Sequence, residues 1–399
     1  MTGFHIATPD EIKAGRVTDV YFQRTAAILD AKGIDAYVRA EFVAKSLPDE
    51  WEWALFAGLA EVTHLLDGIE VNVRAMEEGA AFRPLEPVLE IEGSYREFGI
   101  YETAVLGLIC QASGIATRAA RCRLAAGPDR KLISFGARRM HPAIVPMIER
   151  AAFLGGCDGV AVVASAELLG TDPVGTIPHA LVLLIGDTVR ATEAFNEVID
   201  KKVPRISLID TFEDEKFAAL EVAEALGSDL SALRLDTPTS RRGDFYDLIS
   251  EVRWELDLRG YEEIDIFVSG GIDEAAIREL NSVVDGYGVG SHISAAPIVD
   301  FSMDIVEIDG EAIAKRGKWS GAKQVLRCVD CLEDDIVPLH RSVDWPERCT
   351  ACGADLEPLL MPWIKGGQQV GPHLDPSEIR ARTLQRLERF ANDLEIWPE

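Results

Sequence analysis

The chain has 399 residues, 47% hydrophobic and 27% charged, with no low-complexity tract, so it is a folded protein of two or three domains. A formal net charge of -27 argues against nucleic-acid partners and requires any anionic substrate to meet a local basic island. The opening "MTGFHIATPDEIKAG" has no apolar signal core, and no run approaches the roughly 18 apolar residues of a membrane span, so a cytoplasmic protein without a membrane partner is expected.

Residues 1–120 read as an N-terminal α+β domain. "VNVRAMEEGAAF" and "VLEIEGSYREFGIYE" group strand formers around glycine turns, and "TAVLGLICQASGIATRAARCRLAA" carries helical apolar spacing. From about residue 130 strands and helices alternate. The strand candidates are "KLISFGA", "GVAVVAS", "PVGTIPH", "RISLIDT", "ALRLDT", "IDIFVSG", "DGYGVGS" and "SMDIVEI". Apolar strands separated by amphipathic helices predict parallel βαβ units, hence an α/β fold with a (β/α) barrel, complete or slightly irregular, over residues 121–325. A doubly wound open sheet is the alternative, weakened by the lack of a G-x-G-x-x-G turn after the first strand.

Cys110, Cys122 and Cys157 are scattered, but Cys328, Cys331, Cys349 and Cys352 form two C-x-x-C turns. Four thiolates from two tight turns close a tetrahedron around zinc, which predicts a structural zinc ribbon or knuckle over residues 326–360 in a reducing compartment. Residues 361–399 read as a C-terminal helical tail, opened by "DPSE".

In a (β/α) barrel the chemistry sits where strands run into their following loops. Those positions hold Phe135, Arg138 and Arg139, then Thr176 and His179, Asp210, Arg234 and Asp236, Ser269 with Gly270 and Gly271, and Gly288, Gly290 and Ser291. Three arginines and two aspartates are more than a rim built only for stability would collect. The glycine turns "SGGID" and "GYGVGS" let backbone N–H groups approach a phosphate. Asp210 and Asp236 suit magnesium or sugar hydroxyls, and the arginines suit pyrophosphate or a carboxylate.

The ordered set "TDVYFQRT", "SGIAT", "SFGARR", "PVGTIPH", "RLDT", "SGGID" and "GVGS" resembles the nicotinate phosphoribosyltransferases of the type II phosphoribosyltransferase fold over nearly the whole chain. Some archaeal-type members also carry a C-terminal zinc knuckle. The resemblance implies a reaction of nicotinate with phosphoribosyl pyrophosphate, giving nicotinate mononucleotide and pyrophosphate in NAD biosynthesis. It implies magnesium, ATP coupling through phosphorylation of His179, and a homodimer or higher homo-oligomer with sites at the subunit interface. It places Gly270, Gly271, Gly290 and Ser291 on the 5-phosphate, Arg138 on pyrophosphate or phosphate, Arg234 and Asp236 on base or ribose, and Asp210 on ribose hydroxyls or magnesium. Phe135 would stack on one face of the pyridine ring and Tyr21 of a neighbouring subunit on the other.

The chain departs from that pattern twice. Ala180 follows the histidine where many members carry an acidic or hydroxyl residue, and Gly159-Val160-Ala161-Val162 replaces a G-T-S-N strand end. The second departure leaves the base open between nicotinate, nicotinamide and quinolinate. Two other classes stand beside the transferase. One is a non-catalytic zinc-ribbon interaction protein, and the other is a barrel aldolase or isomerase, which would want a lysine at a strand end.

Overall fold

One-sided burial and two-sided burial divide the chain. The structure, a computed structural model, describes residues 3–238, 240–241, 243–339 and 344–393. It separates into a unit of residues 1–117 with 297–399 and a unit of residues 118–296.

The first unit is built on a seven-stranded antiparallel sheet. Its order is Glu311–Ala312, Phe301–Ile308, Tyr37–Ala44, Pro87–Ser94, Val71–Ala75, Met361–Lys365 and Gln368–Gln369. Val71–Ala75 alternates buried and half-buried residues, as expected for a sheet with one face on the core. Phe42, Phe56, Leu66, Phe82, Leu89 and Phe98 fill that core. Charged side chains also pair across the sheet: Arg39 reaches Glu90, Glu92 and Glu307 at 2.6, 2.8 and 3.0 Å.

The helical stretch Tyr95–Ala126 is long and apolar enough to cross a membrane by length and composition, contrary to the expectation that no segment comes near. Its apolar residues have a core to fill. Val105 and Ile109 join the cluster above, and the Ser113 and Thr117 hydroxyls accept the backbone N–H groups of Ala57 and Leu55.

The second unit holds a six-stranded, wholly parallel sheet. Its order is Gly159–Val160, Lys131–Ser134, Gly286–Val289, Asp265–Ser269, Ala232–Leu235 and Ile206–Leu208. Gly286–Val289, near the middle, is buried at every position, the signature of a parallel strand covered on both faces. This is the expected α/β barrel architecture in its irregular form. Among the described residues the two outer strands do not pair, so the barrel is open.

Three strand expectations are corrected. "PVGTIPH" forms no strand: Pro173 and Pro178 lack ladder donors, and within it Val174 N–H reaches the Val160 carbonyl at 2.8 Å before His179 opens the helix His179–Ile185. "GVAVVAS" keeps two strand residues and then turns into the helix Val163–Leu169. "SMDIVEI" lies in the antiparallel sheet, where Phe301–Ile308 pairs with Tyr37–Ala44. Its broken burial pattern fits a sheet with a half-exposed face rather than a barrel interior. Residues 297–325 thus group with the first unit.

The cysteine turns lie beside a three-stranded antiparallel sheet of Asp334–Pro338, Lys323–Cys328 and Leu356–Pro358. The C-terminal helix, Pro376–Asp393, buries Ile379 and Leu387, and its Arg382 and Arg386 pair with Glu77. Residues 394–399 of the expected tail lie outside the described residues.

Candidate functional site

The parallel strands end together, and their last residues make one hydrogen-bonded cluster. Arg234 is the third residue of Ala232–Leu235. Its Nε donates to Ser269 Oγ at 2.9 Å, its Nη1 to Thr176 Oγ1 at 2.7 Å, and its Nη2 meets Asp236 Oδ2 at 3.0 Å. One guanidinium thus ties two adjacent strands to the loop that replaces a strand, using the planar fork that lysine lacks. Ser269 Oγ–H donates in turn to Asp236 Oδ1 at 2.8 Å. Burial lowers the guanidinium's hold on its proton, Asp236 and Asp210 oppose that, and the nearby Arg138 adds to it; the net shift is downward.

Asp210 follows Ile206–Leu208. Its side chain is 1% exposed, and its Oδ2 accepts the Asp236 backbone N–H at 3.1 Å. Its Oδ1 has no hydrogen-bond partner among the described residues. Burial pushes the Asp210 carboxyl up, the positive field of His179 pulls it down, and the Asp236 charge adds to the upward push. His179 lies across from both carboxylates, with Nε2 at 3.8 Å from Asp236 Oδ2 and 4.0 Å from Asp210 Oδ1. Its other nitrogen, Nδ1, shares a hydrogen bond with Thr211 Oγ1 at 3.1 Å. An orphaned buried carboxylate oxygen beside a second carboxylate is an all-oxygen donor set that fits a hard divalent cation such as magnesium.

Phe135 follows Lys131–Ser134. Its ring lies beside Phe267, centroids 6.0 Å apart, with the Arg234 guanidinium 5.3 Å above it. A Cβ at Gly288 would sit 2.3 Å from the Phe135 ring, and one at Gly286 would sit 2.5 Å from the Phe267 ring. The bare face of Gly286–Val289 is what lets both rings lie down. Gly288 is thereby placed against an aromatic ring, which is a different surrounding from the phosphate turn its sequence context points to. Gly270 and Gly271 do form a left-handed turn at φ +83° and +71°, and a Cβ on Gly270 would come within 2.9 Å of Asp236 Oδ1. Gly290 precedes the short helix Ser291–Ser294. Arg138 and Arg139 stand exposed in the single turn Ala137–Arg139.

Of the residues named from the sequence, Phe135, Thr176, His179, Asp210, Arg234, Asp236, Ser269, Gly270 and Gly288 are brought into contact with one another. Tyr21 belongs to the other unit, exposed on the helix Val20–Lys32. Sequence reasoning places Thr211 beside Asp210 at a strand end but gives it no role. It also misses Phe267 and Gly286, whose role is visible only once two strands are adjacent.

The four cysteines of the C-x-x-C turns converge, all four sulfurs lying within 4.8 Å of one another. Cys328 Sγ is 3.3 Å from Cys352 Sγ, and Cys331 Sγ is 3.6 Å from Cys349 Sγ. Thiolates about 2.3 Å from a common centre stand at such spacings, so the set fits a tetrahedral zinc.

A parallel open barrel with arginine, aspartate and glycine at its strand ends, joined to an antiparallel α+β unit, defines a phosphoribosyltransferase. The profile described as "Quinolinate phosphoribosyl transferase, N-terminal domain" matches residues 19–113, and its C-terminal counterpart matches residues 115–304. The chain is 34% identical to nicotinate phosphoribosyltransferase pncB1 of Mycobacterium tuberculosis, over 93% of this chain and 89% of that protein. It is 34% identical to the Homo sapiens nicotinate phosphoribosyltransferase, over 95% and 84%. The crystal structure of nicotinate-nucleotide pyrophosphorylase from Pyrococcus furiosus superimposes with a TM-score of 0.94 at 54% identity, covering 98% of this chain and 99% of that one. The chain belongs to the nicotinate phosphoribosyltransferase family and is an enzyme.

Proposed function

We propose that this enzyme joins nicotinate to the ribosyl carbon of phosphoribosyl pyrophosphate, releasing pyrophosphate and forming nicotinate mononucleotide for NAD synthesis. The observation that carries this reading is the single cluster of Arg234, Asp236, Ser269, Thr176, Asp210 and His179 beside the Phe135 ring. A phosphoribosyl transfer needs an aromatic surface for the base, carboxylates for the sugar and its developing cation, and a cationic cradle for the leaving group.

Phe135 offers its ring to one face of the pyridine, and Tyr21 of a neighbouring subunit covers the other in a homodimer or larger assembly. Arg234 holds the base and orients Asp236, which with Asp210 faces the ribose hydroxyls. Asp210 and Asp236 would hold magnesium, which when bound supplies charge neutralisation for the departing pyrophosphate. The exposed Arg138 and Arg139 meet that pyrophosphate. Gly270, Gly271, Gly290 and Ser291 receive the 5-phosphate. His179, half-exposed and with Nε2 facing the two carboxylates, accepts the γ-phosphoryl group of ATP and couples its hydrolysis to product formation. The four cysteines hold a structural zinc, and the enzyme works in the cytoplasm.

The test is a base panel: nicotinate, nicotinamide and quinolinate with phosphoribosyl pyrophosphate and magnesium, with and without ATP, products identified by mass. Nicotinate mononucleotide from nicotinate is expected, with a yield that rises with ATP. Product from quinolinate alone would move the substrate to the dicarboxylate, and no product from any base would defeat the reading. A His179→Ala variant that retains the ATP effect would remove the phosphohistidine and leave the transferase standing.

A further inference from the structure

A second ionic cluster in the parallel unit is used by none of the steps above. Glu274 is the first residue of the helix Glu274–Leu280, three positions beyond Gly271. Its carboxylate receives Arg118 Nη1 at 2.9 Å and Arg121 Nε at 3.1 Å. Those arginines are three positions apart, so they project from one helix face. On the other side His292 Nε2 stands 3.7 Å from Glu274 Oε1. His292 directly follows Ser291, in the helix that the second glycine turn opens. The Glu274, Arg118 and His292 side chains are 12, 12 and 27% exposed, too enclosed for a loose surface pairing.

Glu274 therefore lies between the segment after "SGG" and the segment after "GVGS". Burial works against its charge, but His292, Arg121 and Arg118 outweigh it and hold the carboxyl at about 2, so it is ionised wherever the enzyme functions. Two arginines face this one carboxylate, a local concentration of positive charge in a chain of charge -27.

We infer that Glu274 is a positioning residue for phosphoribosyl pyrophosphate: it ties the two glycine turns to each other and to Arg118 and Arg121, and so fixes the spacing of the cup that takes the 5-phosphate. This rests on the assignment of that phosphate to the turns at Gly270-Gly271 and Gly290-Ser291. Arg118, Arg121, Glu274 and His292 stand apart from the cluster of Arg234, Asp236 and Phe135, so the effect is expected on one substrate. Losing the Glu274 charge weakens its hold on Arg118, Arg121 and the facing His292, which loosens the seating of both turns and weakens phosphate binding without altering the reacting groups.

The experiment compares Glu274→Gln, His292→Asn and the double variant by steady-state kinetics and thermal unfolding, with Ser291→Glu as a control. The expected result for Glu274→Gln is a five- to tenfold rise, in round terms, in KM for phosphoribosyl pyrophosphate, with KM for nicotinate and kcat within about twofold. The double variant should show less than the product of the single effects, because both act on one contact. A Glu274→Gln enzyme with a lowered Tm but an unchanged KM for phosphoribosyl pyrophosphate would overturn the inference and leave a stabilising ion pair. Ser291→Glu places a like charge in the cup and should raise the same KM steeply. If it does not, the phosphate assignment itself fails, independently of Glu274.

Discussion

The Arg234 guanidinium lies over the Phe135 ring, 5.3 Å from its centroid, with all three of its nitrogens engaged by Ser269, Thr176 and Asp236. The ring and the ionic cluster are thus one object. Arg234→Lys keeps the charge but cannot serve three partners in a plane. kcat/KM should fall on the order of a hundredfold, comparable to losing one preorganised donor. Steady-state kinetics beside an unchanged circular dichroism spectrum checks this, and wild-type turnover would remove the guanidinium from the site.

Gly288→Ala places a methyl group where the Phe135 ring lies. The ring must rotate or the strand must shift, with an expected stability loss of about 1–3 kcal/mol. KM for nicotinate should rise while KM for phosphoribosyl pyrophosphate holds. A matching rise in the phosphoribosyl pyrophosphate KM would instead return Gly288 to the phosphate turn.

Asp210 carries a raised carboxyl pKa in the folded protein, from burial first. Between the unfolded carboxylate value and that raised value the folded state holds the extra proton. Stability from this group is therefore greatest in acid and declines as pH rises through the folded value. Asp210→Asn keeps the acceptor for the Asp236 N–H and removes the charge. Its Tm should exceed wild type at neutral pH, and the gain should shrink toward pH 4. Activity should be lost at the same time. An equal or lower Tm at neutral pH would show that the buried charge is compensated.

The four converging thiols predict about one zinc per chain by elemental analysis. Removing it with a chelator, or substituting Cys349→Ser, should lower the Tm and leave the nicotinate KM unchanged. A metal-free preparation with an unaltered melting curve would remove the structural role.

The parallel strands, the glycine turns and the cysteine set were legible because each is written in a local pattern. Gly270-Gly271 takes the left-handed turn its composition asks for, and "IDIFVSG" is a strand because its Ile266-Phe267-Val268 run is apolar and buried. Misreadings arose where tertiary pairing decides. "SMDIVEI" has strand composition under either topology, and only its partner, Tyr37–Ala44, assigns it to the antiparallel sheet. "PVGTIPH" is apolar enough for a strand, but two prolines deny it a ladder. The contacts of Thr211 and Phe267 are hidden in the sequence because they reach across 32 positions to His179 and across 132 to Phe135.

The open side of the parallel sheet has a further consequence. Among the described residues the edge strand Gly159–Val160 pairs on one side only, with Lys131–Ser134, and the loop carrying Thr176 follows it. Residues 161–172 form no ladder with the strands that carry Arg234 and Ser269. The apolar Val160-Ala161-Val162 stretch falls on that open side.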